Sequence, residues 1–127
     1  MSWHTRLIQV KNIPKNTLIG YGGTYRTHRP TKLGIIPIGY WDGLDSHFSN
    51  CGQVLFKGKK CAILGRICMN LTMIDLTGLN AKTGDKITLI GRQGTVEITT
   101  DDLAKKINTI NYEVVTRINP QIKRIVC

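Results

Sequence analysis

The sequence predicts a mainly β protein, a small barrel or sandwich with one or two short helices near its C-terminus. Short segments that alternate in polarity, or are rich in β-branched residues, recur along the chain. Turn residues separate them at roughly the 8–12-residue intervals typical of such folds. A length of 127 residues suits one domain, covering residues 1–127, with a core of its own. With 41% hydrophobic and 20% charged residues, the composition excludes a disordered or collagen-like chain.

Three of the predicted strands carry a specific expectation. Residues 3–10 alternate and form one strand, with a turn expected at residues 11–12. Pro37 in the apolar segment 33–38 predicts an edge strand, a strand end or a bulge rather than a central strand, because proline cannot donate a ladder hydrogen bond. Residues 57–59 predict the turn of a hairpin. The predicted strands are residues 3–10, 33–38, 53–56, 60–64, 71–77, 86–90, 95–98 and 121–126.

One helix has clear terminal signals. Thr100 precedes Asp101 and Asp102, and acidic residues in a first turn interact favourably with the helix dipole, as Lys105 and Lys106 do in the last turn. Residues 110–118 have apolar positions at helical spacing but also a β-branched content that suits a strand. We favour a second short helix there.

The charge balance raises the question of an anionic partner. Eighteen Lys and Arg against eight Asp and Glu give a net charge of +10 and a pI near 9.8. The basic residues are spread along the chain, and only Lys57, Lys59 and Lys60 cluster, at the predicted hairpin turn, where charges normally face water. No aromatic-rich basic strand of the RNA-binding kind is present. Nucleic acid is therefore not the expected partner, although an anion-binding or nucleic-acid-binding barrel remains the alternative.

Cysteine spacing and apolar runs bear on compartment and metal binding. The four cysteines include no C-x-x-C pair and have no ligand spacing with the histidines, so no metal site is expected. No signal-peptide pattern opens the chain, and the apolar runs are too short to span a bilayer. We expect a cytoplasmic protein with reduced thiols and no membrane partner.

Four segments are unusual for a plain scaffold, and three of them place a tyrosine among glycines or loop residues: Tyr21, Tyr40 and Tyr112. A tyrosine flanked by glycine can offer its hydroxyl to a ligand; the alternative is that it anchors a core edge through one hydrogen bond. A phenol titrates near pH ~10, so use as a base requires neighbouring cations. The four segments are residues 20–25, 36–43, 65–70 and 109–113.

Taken together and in order, these segments resemble the C-terminal domain of bacterial alanine racemases. The resemblance extends from about Trp3 to Val126 and implies a small closed Greek-key β-barrel. It also implies an N-terminal TIM barrel that holds pyridoxal 5'-phosphate on a lysine, and a head-to-tail homodimer in which each active site draws on both subunits. The implied reaction interconverts L-alanine and D-alanine for peptidoglycan synthesis. The matching segments are residues 2–6, 20–25, 36–43, 65–69, 84–91 and 109–113.

The resemblance also implies roles for individual residues. Tyr21 matches the catalytic tyrosine, which exchanges a proton with the substrate α-carbon on the face opposite the lysine. Met69 matches the position whose backbone N–H contacts the substrate carboxylate, and Tyr112 the tyrosine beside the cofactor phosphate. Tyr40 and Arg66 match residues that line the corridor into the active site across the dimer.

The chain departs from the family pattern in three places. Asn70, also in the corridor, stands where the family usually has Asp, and Trp41 replaces a small residue; residues 120–124 match only loosely. A larger departure is the missing barrel, since a TIM barrel alone needs ~250 residues. We therefore expect part of a longer enzyme, cut or naturally separate, inactive by itself and unable to bind the cofactor tightly. Besides the anion-binding barrel, a module that serves only in assembly remains an alternative.

Overall fold

The computed structural model describes residues 1–126; Cys127, with its predicted reduced thiol, lies outside them. Local pairing and capping rules account for most elements, and three short 3₁₀ turns, Tyr21–Gly23, Tyr40–Asp42 and Ser46–Phe48, lie in the loops. The strands are β1 (Trp3–Arg6), β2 (Gln9–Ile13), β3 (Leu18–Ile19), β4 (Tyr25–Arg26), β5 (Thr31–Ile36), β6 (Gln53–Phe56), β7 (Lys59–Leu64), β8 (Thr72–Asp75), β9 (Lys86–Gln93) and β10 (Val96–Ile98). The helices are α1 (Thr100–Lys106) and α2 (Asn111–Arg117).

One antiparallel sheet dominates, in the order β1-β9-β6-β7-β8-β5-β2, with β10 paired to β9 and a separate β3-β4 hairpin. The mainly β prediction with short C-terminal helices is confirmed. Strand hydrogen bonds within residues 1–126 do not close the sheet, which is weak evidence against the expected closed barrel. The two edges, β1 and β2, are consecutive in the chain. In the two residues that link them, Leu7 N donates to Asp85 O and Ile8 N donates to Ile35 O, each at 2.9 Å.

The single strand predicted at residues 3–10 is wrong. β1 pairs with β9, whereas β2 pairs with β5 at the other edge, so the segment bends between them at Leu7, whose side chain is buried. The turn expected at residues 11–12 is wrong as well, because these residues lie in β2 opposite Leu33 and Lys32. Alternation in polarity continues through such a bend, and therefore does not reveal it.

The predictions made from Pro37 and from the hairpin turn agree better with the structure than those made from alternation in polarity. β5 ends at Ile36, one residue before Pro37, which confirms the predicted strand end, but β5 is not an edge because it pairs with both β2 and β8. The β6-β7 hairpin turns at Lys57 and Gly58, with φ of 47° and 76°. Positive φ at both central residues is the type I′ geometry that suits the twist of a hairpin.

Both predicted helices are present. Thr99, rather than Thr100, is the N-cap of α1: its side chain accepts from Asp102 N, and the Asp102 carboxylate accepts from Thr99 N. α2 confirms the helical interpretation of residues 110–118.

The strand predicted at residues 121–126 is wrong. These residues are turn and irregular chain; Ile122 packs against the core, while the side chains of Ile125 and Val126 are exposed. The alternation in polarity of residues 121–126 therefore does not correspond to a strand with one buried face. No helix formed by residues 1–126 is long and apolar enough to cross a membrane.

The core is built from strands, connecting segments and both helices. Leu55, Phe56, Ile74 and Ile87 are almost fully buried at its centre, and Leu103 of α1 and Val114 of α2 extend it. Burial of such side chains contributes ~1.5–3 kcal/mol each. The predicted site residues lie in the turn between β3 and β4, in the loops that follow β5 and β7, and in the first turn of α2.

Candidate functional site

Three segments carry five of the six predicted site residues. We call them the Tyr21 turn (residues 20–25), the Tyr40 turn (residues 39–43) and the Met69 loop (residues 65–70). The Tyr21 turn joins β3 to β4, the Tyr40 turn follows β5, and the Met69 loop joins β7 to β8. The sixth residue, Tyr112, lies in the first turn of α2.

The Tyr21 turn rests directly on the Met69 loop through two glycines. A Cβ added to Gly20 would lie 2.8 Å from Arg66 N, and one added to Gly65 would lie 2.7 Å from Ile19 O. Both glycines have positive φ, +83° and +76°. The backbones thus approach closer than any side chain would allow, and this contact sets the position of Tyr21 beside the loop that carries Met69.

The Tyr40 turn is hydrogen-bonded to the other end of the Met69 loop. Tyr40 N donates to Cys68 O and Trp41 N donates to Met69 O, both at 3.0 Å. Within the turn, Gly39 N donates to the Asp42 carboxylate at 2.9 Å. A Cβ on Gly39 would collide with Cys68 O at 2.1 Å, so glycine is required at this crossing.

The Met69 loop is also held from the segment that precedes β6. Ile67 N donates to Ser49 Oγ at 2.9 Å, and Gly65 N donates to Asn50 Oδ1 at 2.7 Å. The backbone N–H of Met69 makes no hydrogen bond within residues 1–126 and remains a donor for a ligand. The loop is therefore anchored through Gly65, Ile67 and Cys68, and Met69 N is one of three backbone N–H groups in it, with those of Arg66 and Asn70, that make no hydrogen bond within residues 1–126.

Helix α2 is attached to the same region by charged side chains. The Arg117 guanidinium donates to the carboxylate of Asp45 and to Glu113 Oε2, the latter at 3.1 Å. Burial would raise the pKa of Asp45, but hydrogen bonds from His47 and the charge of Arg117 outweigh it and hold that pKa below the usual range. Asp45 thus stays ionised as the partner of Arg117.

The predicted site residues all reach the surface. Tyr21 and Tyr112 are 72% and 75% exposed, and Tyr40 and Met69 are about half exposed. Within residues 1–126 none of these three tyrosine hydroxyls makes a hydrogen bond, so they do not anchor a core edge. The alternative interpretation of them is wrong.

One cleft of about 410 Å³ brings two of the predicted residues together. Tyr40 and Arg66 line it, together with Asp45, Ser46 and Arg117. The other predicted residues lie outside its lining: Tyr21, Met69, Asn70 and Tyr112. Asn70 is exposed at the end of the Met69 loop.

Several residues that build the region were missed from the sequence. Asp42 lies in a segment that was singled out, but its capping of Gly39 was not anticipated. Asn50, Asp45 and Arg117 had no local signal, since Asp45 and Arg117 are 72 positions apart. Within residues 1–126 no group of three or more His, Cys, Asp or Glu side chains could hold a metal ion.

Known proteins are similar to this chain in sequence and in fold. An alanine racemase of Leptospira interrogans is 49% identical over 99% of this chain and 33% of its own length, and one of Halothermothrix orenii is 45% identical over 98% and 33%. The chain thus spans about a third of the length of these relatives.

Solved structures of alanine racemases superimpose on this chain. An alanine racemase from Oenococcus oeni superimposes with a TM-score of 0.94 at 33% identity, covering 99% of this chain and 34% of that one. One from Bartonella henselae with covalently bound pyridoxal phosphate gives 0.87 at 34% identity, covering 96% and 33%. The family described as "Alanine racemase, C-terminal domain" matches residues 1–126. The chain belongs to the alanine racemase C-terminal domain family.

Proposed function

We propose that this chain is the C-terminal domain of a cytoplasmic, pyridoxal-phosphate-dependent alanine racemase that supplies D-alanine for peptidoglycan. In this proposal residues 1–127 form one domain, and an N-terminal TIM barrel and a second subunit complete the active site. The observation that carries the proposal is the family match over residues 1–126, combined with an exposed Tyr21 on a turn that lies directly against the Met69 loop.

Tyr21 is the proposed proton-transferring group. Racemisation requires that a proton leave one face of the α-carbon and that another arrive at the opposite face, so two groups on opposite sides are needed. The Tyr21 hydroxyl has no hydrogen-bond partner within residues 1–126, and its turn lies directly against the Met69 loop at the Gly20–Gly65 contact. An exposed, unpaired hydroxyl can exchange a proton with a substrate set against it.

Met69 is proposed to orient the substrate. Its backbone N–H is unused within residues 1–126, and the loop around it is anchored on both sides. A fixed N–H donor forms a charge-assisted hydrogen bond with a carboxylate. Tyr40, Arg66 and Asn70 would line the corridor, with Arg66 supplying a positive charge for an incoming carboxylate.

The residues present fit one wall of a cofactor site. Tyr112 presents an exposed phenol that can donate to a phosphate, but residues 20–25, 39–43, 65–70 and α2 contain no lysine. Bound pyridoxal phosphate supplies an electron sink for the α-carbanion. We place the lysine attachment on the N-terminal barrel, and we expect this chain alone to be inactive and to lose the cofactor's absorbance band on gel filtration.

A chimera tests the assignment of Tyr21. This chain would replace the corresponding third of the Leptospira interrogans racemase, and Tyr21→Phe would remove only the hydroxyl. We expect kcat/KM to fall by roughly 10²–10⁴. The fall must be equal in both directions, because the enantiomers have equal free energies. Exchange of the α-hydrogen with D₂O should persist for the enantiomer that is deprotonated from the opposite face and disappear for the other.

The matched control is Tyr25→Phe, four positions along the same segment. Tyr25 lies in β4 and packs edge-on against His28 rather than facing out of the turn. An active chimera in which Tyr21→Phe behaves like Tyr25→Phe, in rate and in exchange of both enantiomers, would refute the role of Tyr21.

A further inference from the structure

We propose that Asn50 is a positioning residue for Tyr21, because its side-chain amide joins the Met69 loop to the Tyr21 turn. The proposal rests on the proposed function of Tyr21 as the proton-transferring group. Asn50 lies in neither segment; it precedes β6 and is 29 positions from Tyr21 in the sequence.

The orientation of the amide is determined by its partners. Gly65 N is a donor and lies 2.7 Å from one terminal atom of Asn50, which must therefore be the acceptor Oδ1. The other terminal atom is then Nδ2, which donates to Thr24 Oγ1 at 3.3 Å. One planar group thus holds a backbone N–H of the Met69 loop and a hydroxyl of the Tyr21 turn.

The backbone of Asn50 explains why asparagine suits the position. Its φ is +60°, a left-handed conformation that asparagine tolerates far better than most residues, and Asn50 N donates to Gly65 O at 3.2 Å. Glycine would keep this backbone but lose both side-chain bonds. Aspartate would keep the acceptor for Gly65 N and could also accept from the Thr24 hydroxyl, so it would reverse the bond to Thr24 and not delete it.

The bond to Thr24 is distinctive among the contacts of the turn. Within residues 1–126 it is the only hydrogen bond that connects the Tyr21 turn to a segment outside its own β3-β4 hairpin. The Gly20–Gly65 contact limits how closely the turn approaches the loop but does not resist its moving away. Without the Asn50 amide, the turn is free to pivot about its hairpin, and displacements of ~1 Å are costly to catalysis.

The test removes this bond from each side in turn. Thr24→Val is isosteric and deletes the hydroxyl, and Asn50→Gly deletes the amide while keeping the left-handed backbone. The matched controls are Thr95→Val and Asn16→Gly: the Thr95 hydroxyl and the Asn16 amide make no hydrogen bond within residues 1–126, and Asn16 shares the left-handed backbone, at φ +65°.

Two measurements separate positioning from general support of the fold. In the chain itself, ¹⁵N relaxation should show the order parameters of Gly22 and Gly23 falling from about 0.85 towards 0.6 in Thr24→Val and Asn50→Gly, and unchanged in the controls. In the chimera, α-hydrogen exchange on the Tyr21 side should fall roughly threefold to tenfold, the effect of one hydrogen bond. Exchange on the opposite side should stay unchanged, and the two substitutions combined should have no more effect than Asn50→Gly alone.

The outcomes are distinct. Order parameters and exchange rates equal to those of the controls would overturn the role of Asn50, as would an equal fall of exchange on both sides, which indicates general loss of structure. If Tyr21→Phe itself leaves exchange unchanged, the proposed function fails, while the order parameters in the isolated chain still report whether Asn50 holds the turn.

Discussion

Gly20→Ala offers the sharpest test of the geometry at the Tyr21 turn. Gly20 has φ 83° and ψ 167°, a region essentially restricted to glycine, where other residues cost ~1–3 kcal/mol. Its new methyl group would lie 2.8 Å from Arg66 N and 3.1 Å from Gly65 Cα, both backbone atoms. The two segments would have to separate by about 0.6 Å to reach ordinary contact, and overpacking of this kind costs ~1–3 kcal/mol.

Gly22→Ala, two positions along the same turn, is the matched control. Gly22 is left-handed as well, at φ 75° and ψ 4°, but its Cβ would have no heavy atom within 4 Å. We therefore expect Gly22→Ala to lower the free energy of unfolding by only ~1–2 kcal/mol. Gly20→Ala should lower it by roughly 2–6 kcal/mol, the sum of its two contributions.

Urea denaturation of the chain, followed by circular dichroism, measures the difference. With a denaturant slope of ~1–3 kcal/mol per molar urea, a further 3 kcal/mol lowers the unfolding midpoint by about 1–3 M. Equal losses of unfolding free energy in Gly20→Ala and Gly22→Ala would refute the close approach between the Tyr21 turn and the Met69 loop.

Two further predictions concern pH and thiol chemistry. Burial, and then the positive charge of Lys86, lower the pKa of His4 below its ordinary 6.5. The unfolded chain therefore binds the proton first, and the free energy of unfolding should fall as the pH drops from 6.5 towards the lower pKa of the folded state. His4→Gln should flatten this pH dependence, and urea midpoints whose pH slope is unchanged in the variant would contradict the prediction. Burial, reinforced by the charge of Asp75, raises the pKa of Cys61 to about 11. At pH ~8, iodoacetamide should therefore modify exposed Cys51 far faster than Cys61 in the folded chain, and both at equal rates in urea. Peptide mass spectrometry measures these rates, and equal rates in the folded chain would contradict the prediction.

Features that depend on neighbours within a few positions were predictable from the sequence. The Lys57–Gly58 turn, the charged ends of α1 and the end of β5 before Pro37 all follow from local backbone and hydrogen-bonding rules. The strands predicted at residues 3–10 and 121–126 were wrong for a common reason. Alternation reports which side chains could share a face, but not which partner strand, if any, lies beside them.

The same division holds for the candidate site. Motifs in order were sufficient to identify the family, and they marked the Tyr21 turn, the Tyr40 turn and the Met69 loop as the segments of interest. They did not show that Gly20 touches Gly65, or that Asp45 pairs with Arg117. Such contacts join residues dozens of positions apart, and no local pattern encodes them.

The sequence by itself determined the fold class, the helices, the family and the candidate site tyrosines, since each depends on residue types at short or fixed spacing. Only the tertiary structure decided that Met69 has an unused N–H, that the three tyrosine side chains are exposed, and that Asn50 links two loops. The physical reason is that pairing between strands distant in the sequence brings their loops to one place. Their spacing is then set by backbone contacts and single hydrogen bonds.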